Sequence, residues 1–341
     1  MSHHLSLLGR FLHAKVDTLG RETVDTMGDE IAPIVEQELG ASPDLVERVE
    51  EGLLHETYEL SCDGEEYILQ FSSEDDDERI DALRRGLNCY VMLQDSKIPV
   101  PATVTEEMRE FDGRRYSLVE KLLGKTGKLD ISPQRVRNAG RYLAEIHDLR
   151  SFETPGWIRF ENREPSVHAF REGSLRRWIL RTIEETSNTL RGGGMETAGA
   201  AVESVFEREG AALPDDFTPV FCHDDFSPDN VLFRNGEVVG ILDFDRAHAS
   251  HAQRDLVKAA NGFWMHDPGR EWNVRADFYE GYREVNELDS SFEANEPLYR
   301  VETLAWTVAG LLEQGEFSEY EKGFYTEKIL ESIERVEETS P

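Results

Sequence analysis

The fold is decided by residues 218–246, which read TPVFCHDDFSPDNVLFRNGEVVGILDFDR. Asn235-Gly236 lies between two apolar runs, and an Asn-Gly pair in that setting predicts a two-residue β-hairpin turn. The hairpin would bring four polar residues to one end of its strands: Asp225, Asn230, Asp243 and Asp245. Carboxylate and amide oxygens that converge in this way suit a hard divalent cation such as Mg²⁺.

The length and composition indicate a globular protein of two lobes. The 341 residues are enough for two hydrophobic cores, and 39% of them are apolar. No apolar run approaches the roughly 18 residues that span a bilayer, so we expect no association with a membrane. The N-terminus shows no signal-peptide pattern, and the three cysteines lack metal-ligand spacing. These features predict a cytoplasmic protein with reduced thiols and no zinc site.

The charge of the chain is strongly negative, with 69 acidic and 37 basic residues and a formal net charge of −32. Such a field opposes binding to nucleic acid, which needs Lys and Arg against phosphate. One explanation is an acidic, solvated surface adapted to a high-salt, halophilic cytoplasm, where ions screen self-repulsion. The alternative is a negative surface that attracts cationic substrates. We favour the first, because the acids lie along the whole chain.

The N-terminal part of the chain carries the pattern of a small lobe. A leader within residues 1–40 has helical periodicity, and residues 44–120 read as a small antiparallel sheet with one helix over 79–95. Asp63-Gly64 predicts a second hairpin turn within this sheet. We therefore assign residues 1–120 to the leader and the small lobe.

The remaining chain, residues 121–341, is mostly helical by periodicity and contains the hairpin described above. One helical run is predicted over 166–191, and Gly156-Trp157 reads as a turn. The predicted fold class is therefore α+β, with a small antiparallel-sheet lobe followed by a larger helical lobe.

A catalytic signature lies inside the opening stretch. His223, Asp225 and Asn230 follow the pattern H-x-D-x-x-x-x-N, and Asp-Phe-Asp at 243–245 begins thirteen residues after the Asn. Protein kinases have a catalytic loop and a metal-binding Asp at this spacing. The chain resembles the small-molecule branch of that fold over about residues 45–290. That branch comprises the aminoglycoside phosphotransferases and their choline, homoserine and fructosamine kinase relatives, so the resemblance implies a two-lobed, protein-kinase-like fold.

The resemblance also implies a reaction, the transfer of a phosphoryl group from ATP or GTP to a hydroxyl group of a small molecule. An amino sugar, an amino alcohol or a similar metabolite would be the acceptor. Asp225 would orient the hydroxyl and take its proton. Asn230 and Asp243 would hold Mg²⁺ against the nucleotide phosphates, with Asp245 as a further candidate ligand.

Other residues would support this machinery by resemblance. His223 would brace the catalytic loop rather than act as an acid or base, and Asp255 would accept hydrogen bonds from the loop backbone. Gln70, on the strand that matches the third strand of the family, would face the nucleotide. Glu120 and Leu122 would form the hinge that binds the cofactor base.

The small lobe departs from the family pattern in three places. Gln70 occupies the position of a basic residue that binds the nucleotide phosphates in the family. Gly86 occupies the position of the helix Glu that forms an ion pair with that basic residue. The phosphate-covering loop at 50–57 has a single glycine and several carboxylates. An alternative to an active kinase is therefore a catalytically weak or inactive kinase-like protein with a binding or regulatory role.

The acceptor site would lie in the helical insert at about 160–210 and in the helices after the metal-binding Asp, as the resemblance implies. Four tryptophans are candidate lining residues: Trp157, Trp178, Trp264 and Trp272. Aromatic rings together with acids would suit an amine substrate through cation–π contacts. The oligomeric state is left open by the sequence.

Overall fold

The computed structural model of the chain describes residues 22–49, 55–72, 77–129, 131–288, 290–315 and 317–339. The leader helix predicted within residues 1–40 is described from Glu22, where α1 (Glu22–Leu39) begins, and the rest of that prediction lies outside the described residues. No helix of the described ranges is both long and apolar enough to cross a membrane.

The small lobe is a five-stranded antiparallel sheet in the order β1-β2-β3-β5-β4. Its strands are β1 (Leu45–Val49), β2 (Glu56–Cys62), β3 (Glu65–Phe71), β4 (Arg109–Phe111) and β5 (Arg114–Glu120). Asp63 and Gly64 form the turn between β2 and β3 with φ of 52° and 84°, as the predicted two-residue hairpin requires. β2 alternates in burial, so its inward side chains form one face of a core.

The core of the small lobe lies between this sheet and α1. Ile31, Ile34 and Val35 of α1 pack with buried sheet residues such as Leu69 and Leu118. The other helix of this region, α2 (Asp77–Leu93), contributes Leu87, Cys89, Tyr90 and Leu93 to the core of the large lobe instead. α2 therefore connects the two lobes physically.

The large lobe is mostly helical. Its helices are α3 (Pro133–Asp148), α4 (Leu175–Gly192), α5 (Glu196–Glu209), α6 (Ala252–Met265), α7 (Val274–Arg283), α8 (Phe292–Glu313) and α9 (Glu319–Thr339). Its short strands are β6 (Lys125–Thr126), β7 (Gly156–Glu161), β8 (Glu164–Ala169), β9 (Val220–Cys222), β10 (Val231–Arg234), β11 (Glu237–Ile241) and β12 (His248–Ser250). These strands form two sheets, β11-β10-β6 and β8-β7-β12-β9. The predicted α+β architecture of a small sheet lobe and a helical lobe is confirmed.

The helical run predicted over 166–191 is wrong in its first part. β7 and β8 form an antiparallel hairpin, and the helix begins only at Leu175, where the Ser174 side chain accepts a hydrogen bond from a backbone N–H in the first turn. Gly156-Trp157 opens β7 and is not a turn. β7 also pairs with β12, a distant strand. This pairing favours a strand conformation where the local periodicity predicts a different structure.

Candidate active site

The hairpin of β10 and β11 positions the candidate metal ligands Asn230 and Asp243. Asn235 and Gly236 have φ of 55° and 87°, the left-handed values of the two-residue turn that the Asn-Gly pair predicts. At the open end of the hairpin, the Leu242 N–H donates to the carbonyl of Asn230 at 2.9 Å. Asn230 precedes β10 and Asp243 follows β11, so the two residues lie close together at the open end of the hairpin.

The backbone of the catalytic loop is held by Asp255 at the start of α6. The two oxygens of this buried carboxylate accept the backbone N–H groups of His223 and Asp224, each at 2.9 Å. His147 Nε2 lies 3.0 Å from Asp255 Oδ2. Burial acts to raise the pKa of Asp255, but the hydrogen bond and charge of His147 outweigh it, so the pKa lies below its ordinary value. An ionised carboxylate is the acceptor that two converging N–H donors need.

His223 uses both ring nitrogens within the loop. Nε2 lies 2.9 Å from the carbonyl oxygen of Leu242, so it donates, and Nδ1 accepts the backbone N–H of Asp225 at 3.2 Å. Burial lowers the pKa of His223, which favours the neutral ring that this donor–acceptor pattern requires. His223 thus connects the loop to the end of β11 and orients Asp225 through its backbone.

Asn230 and Asp243 flank the loop. The Asn230 side-chain N–H donates to the carbonyl of Asp225 at 2.9 Å, which leaves its amide oxygen available as a ligand. Asp243 adopts φ of 61°, and its N–H donates to the Tyr90 hydroxyl at 2.9 Å. Burial, followed by the charges of Asp245 and Asp225, raises the pKa of Asp243 well above its ordinary value. A partly buried carboxyl group close to other carboxylates fits a divalent cation, which would favour its ionised form.

Asp245 faces the small lobe. Its Oδ2 lies 2.7 Å from Nε2 of His55, and Arg85 of α2 donates to its backbone carbonyl. A Cβ on Gly86 would lie only 2.0 Å from Asp245 Oδ1. Gly86 therefore stands at its position because the carboxylate of Asp245 fills the space that a side chain would need. Asp245 remains a candidate ligand, with one oxygen already bound to His55.

The sequence reasoning missed His55 and Arg85. His55 belongs to the segment at 50–57 that was read as the phosphate-covering loop, of which 50–54 lie outside the described residues. Arg85 also donates through Nε to the carbonyl of Ile158 at 2.9 Å, so it connects α2 to β7 as well as to Asp245. The one available signal was Gly86, a glycine in the middle of an otherwise regular helix.

The nucleotide-side candidates lie on the sheet and the hinge. Gln70 is in β3, paired with β2 and β5, and is partly exposed without a side-chain hydrogen bond to any described residue. Glu120 ends β5, and its N–H donates to the carbonyl of Ala102 at 2.8 Å. Leu122 packs on the hairpin, because its Cδ1 would lie 2.7 Å from a Cβ on Gly240.

A cluster of cations surrounds the buried carboxylate of Asp224, the residue before the candidate base Asp225. Asp224 is 1% exposed, and its carboxylate lies 2.8 Å from Arg254 Nη1 and 2.9 Å from Lys258 Nζ, with Arg246 Nε at 3.5 Å. Glu302 accepts from the other two nitrogens of Arg254 at 2.8 and 3.0 Å. The sequence carries no signal for this network, because its members come from four separate segments.

The tryptophans proposed to line an amine-binding pocket contact cationic side chains of the protein itself. Each of the five tryptophans has a cation of the protein itself over its ring: Arg85 over Trp157, Arg254 over Trp178, Arg275 over Trp264, Arg270 over Trp272, and both Arg246 and Lys258 over Trp306. Since one face of each ring is already covered by a cation, these rings are poorly arranged to enclose an ammonium group.

One cluster with metal-ligand atoms has a structural role. His147, Cys222 and Asp255 place one potential ligand atom each within 4.8 Å of one another. Asp255 is engaged by the loop backbone, and Nδ1 of His147 lies 2.8 Å from the Tyr282 hydroxyl. Burial raises the pKa of the Cys222 thiol well above its ordinary value, so the thiolate that a metal would bind is disfavoured. All three cysteines are buried and free.

A protein-family model matches most of the chain. The family model APH, described as the phosphotransferase enzyme family, matches residues 45–288. A comparison with curated protein sequences finds no significant match.

Solved structures show the same fold. One assigned as a fructosamine-3-kinase from Thermobifida fusca YX-ER1 has 18% identity and a TM-score of 0.62, covering 91% of this chain and 99% of that one. A thermostable mutant of the aminoglycoside phosphotransferase APH(4)-Ia has 15% identity and a TM-score of 0.65, covering 89% and 98%. A ternary complex of APH(4)-Ia with ADP and hygromycin B has 14% identity and a TM-score of 0.63, covering 90% and 98%. At these identities the likeness concerns the fold alone.

Proposed function

Because the chain belongs to the APH phosphotransferase enzyme family, we propose that it transfers the γ-phosphoryl group of ATP or GTP to a hydroxyl group of a small molecule. The observation that carries the proposal is the bond from the Asn230 side chain to the carbonyl of Asp225. It connects a candidate metal ligand directly to the candidate base. His223 and Asp255 hold the same loop from the other side.

Asp225 is the base in this proposal. The acceptor hydroxyl oxygen attacks the γ-phosphorus, its proton passes to the Asp225 carboxylate, and the bond to the β-phosphate oxygen breaks to release the nucleoside diphosphate. The backbone N–H of Asp225 is held by His223 and its carbonyl by Asn230, so its side chain projects from a fixed segment. Positioning of this kind is the main contribution that a protein makes to phosphoryl transfer.

Asn230 and Asp243 would hold Mg²⁺, with Asp245 as the further ligand. The bound metal would neutralise charge on the nucleotide phosphates. Two protein ligands are enough for this ion, because Mg²⁺ commonly keeps waters and phosphate oxygens in its coordination sphere. The hydrogen bond from Asp243 N–H to Tyr90 of α2 supports a fixed backbone at this position.

The nucleotide would bind between the lobes. Glu120 and Leu122 at the hinge would contact the base, and the side-chain amide of Gln70 would contact the phosphates without adding charge. The exposure of Gln70 and the packing of Leu122 on the hairpin support these assignments.

Metal-dependent nucleotide binding tests the proposal. Calorimetry at high KCl should detect ATP or GTP binding with Mg²⁺ and much weaker binding with EDTA. A turnover screen would then identify the acceptor among amino sugars, amino alcohols and hydroxy acids. Hydroxy acids belong in the panel because Lys258 and Arg246 lie beside the loop that carries Asp225. Absence of metal-dependent nucleotide binding would contradict the proposal.

A kinase-like binding or regulatory protein of weak activity is the second candidate. It is favoured by Gln70, which brings no charge to the phosphates, and by the bond of Asp245 to His55. Nucleotide binding without turnover on any acceptor, together with no hydrolysis to ADP, would support this candidate over the first.

A further inference from the structure

A pocket of about 710 Å³ opens between the end of α6, α7, the start of α8 and the end of α9. Its lining includes five cationic side chains: Arg275, Arg283, Arg300, Lys328 and Arg335. Only three acids accompany them, whereas acids outnumber basic residues 69 to 37 in the whole chain. The pocket therefore reverses the charge ratio of the protein. Among its lining residues, Trp264 is a candidate for the acceptor site, and none is a candidate base, metal ligand or nucleotide-binding residue.

Two of the acids in the pocket are already bound. Glu296 pairs with Arg300 and accepts the Tyr279 hydroxyl at 3.0 Å, and Glu331 accepts from Lys328 at 2.6 Å. The third acid, Glu293, is exposed. Within the part of the chain that the structure describes, no carboxylate lies within ion-pair distance of the other three cations: Arg275, Arg283 and Arg335. The pocket thus retains a surplus of positive charge.

Arg275 is the best-defined of these cations. Its guanidinium carbon lies 3.9 Å from the centroid of the Trp264 ring, and its Nε donates to Asn261 Oδ1 at 2.7 Å. This stacking fixes the plane of the guanidinium. Burial, and then the neighbouring charge of Arg300, lowers the pKa of Arg275 to about 9. Arg275 is partly exposed, and no described carboxylate lies within ion-pair distance of it, so an anion in the pocket would be attracted to its charge.

We propose that this pocket binds a small anion that bears phosphate groups. Guanidinium groups bind phosphate through paired N–H donors, and Arg275, Arg283 and Arg335 offer such donors within one cavity. The volume lies within the range of roughly 300–1,000 Å³ that is usual for small-molecule sites. The aromatic side chains of Trp264 and Tyr279 add an apolar wall that an organic phosphate ester could contact.

Calorimetry with inorganic pyrophosphate, EDTA present, tests the site on the full chain. We expect Arg275→Gln to weaken binding by at least about tenfold, because it removes charge-assisted donors to the phosphate. The double variant Arg283→Gln/Arg335→Gln should weaken it similarly, and both side chains are exposed, so folding should be preserved. Arg171→Gln, an exposed arginine outside the pocket, is the matched control and should leave affinity unchanged.

The outcomes separate this site from the active site. Pyrophosphate that binds between the lobes would keep its affinity in all pocket variants, and that result would overturn the proposal. Equal loss in the Arg171→Gln control would show non-specific attraction to arginine and would also overturn it. Tighter binding of citrate than of pyrophosphate would contradict the assignment to phosphate. A fluorescence change of Trp264, lost in Trp264→Phe, would support it, because the ring contacts Arg275.

Discussion

His55 and Asp245 are 190 residues apart in the sequence, yet their side chains are 2.7 Å apart and buried. Gly86 makes this contact feasible, because any side chain there would collide with the Asp245 carboxylate. The family pattern places a Glu near Gly86, and a carboxylate in that space would also repel Asp245. Gly86 and His55 therefore act together, because both allow the Asp245 carboxylate to dock against the small-lobe side of the site.

Replacement of Gly86 by Ala should destabilise the protein. The added Cβ would lie 2.0 Å from Asp245 Oδ1, so we expect a loss of about 1–3 kcal/mol in the free energy of unfolding, measured by urea denaturation. Gly323→Ala is the control, since Gly323 lies in α9 with no atom near its added Cβ. Helix propensity predicts that this control gains about 0.5–1 kcal/mol. Equal effects of the two substitutions would contradict the packing argument.

Asp224 should control the acid stability of the large lobe. Burial acts to raise its pKa, but Lys258, His248 and Arg254 hold it well below the ordinary value of 3.8. Its contribution is therefore present above pH 3.8 and is lost as the pH falls through the lower folded-state pKa. Asp224→Asn should lose about 3–5 kcal/mol at neutral pH, because Lys258 keeps a buried charge without its carboxylate partner and Arg254 keeps only Glu302.

The measurement is urea denaturation from neutral pH down to about pH 3. The wild-type protein should lose more stability over the acid part of this range than Asp224→Asn does. Identical slopes for the two proteins would show that Asp224 does not titrate with folding.

Two glycines, Gly140 in α3 and Gly281 in α7, allow these helices to cross in close contact. A Cβ on Gly281 would lie 2.0 Å from the Arg137 carbonyl, and one on Gly140 would lie 2.2 Å from the Phe278 carbonyl. The helices therefore touch through their backbones. α3 carries His147 and α7 carries Tyr282, and these two side chains stand behind the Asp255 carboxylate that holds the catalytic loop.

Gly281→Ala should separate the two helices and disturb the loop. We expect a loss of about 1–3 kcal/mol in the free energy of unfolding from overpacking and a lower turnover, because His147 and Tyr282 move apart. Gly323→Ala again serves as the control for helix propensity alone. Full turnover and stability in Gly281→Ala would show that the crossing tolerates a side chain.

The elements that local chemistry specifies were predicted well. Asn235-Gly236 and Asp63-Gly64 fix their hairpins through left-handed φ angles that few residues adopt, so both turns were visible in the sequence. Residues 166–169, for which the periodicity predicts helix, belong to β8, which pairs with the preceding strand β7. The turn between these strands, Asn162-Arg163, contains no Asn-Gly or Asp-Gly pair, so the hairpin has no local signal in the sequence. The Asp224 network and the His55 contact were also invisible, since hydrogen bonds between distant segments leave no periodic pattern.

The described chain has two hydrophobic cores, and α2 packs against the larger one. The net charge of −32 lowers the stability of the whole folded chain. Self-repulsion among surface acids opposes the compact state and is screened by salt. The interpretation of a salt-adapted protein therefore stays a prediction at this scale.

Salt should stabilise the folded protein. We expect the midpoint of thermal unfolding to rise steadily from about 0.1 M to about 3 M KCl as the repulsion is screened. A chloride salt is the appropriate probe, because sulfate would also strengthen apolar burial in any protein. An unchanged or falling midpoint over this range would contradict the interpretation of the acidic surface.

The central claim is that Asp225 accepts the proton of the acceptor hydroxyl in a Mg²⁺-dependent phosphoryl transfer. The most direct test is Asp225→Asn, with turnover and nucleotide affinity measured on the same preparation. We predict that turnover falls by at least about 100-fold while Mg²⁺–nucleotide affinity changes little, since a base acts on the proton rather than on the nucleotide. Turnover retained in Asp225→Asn would contradict this role.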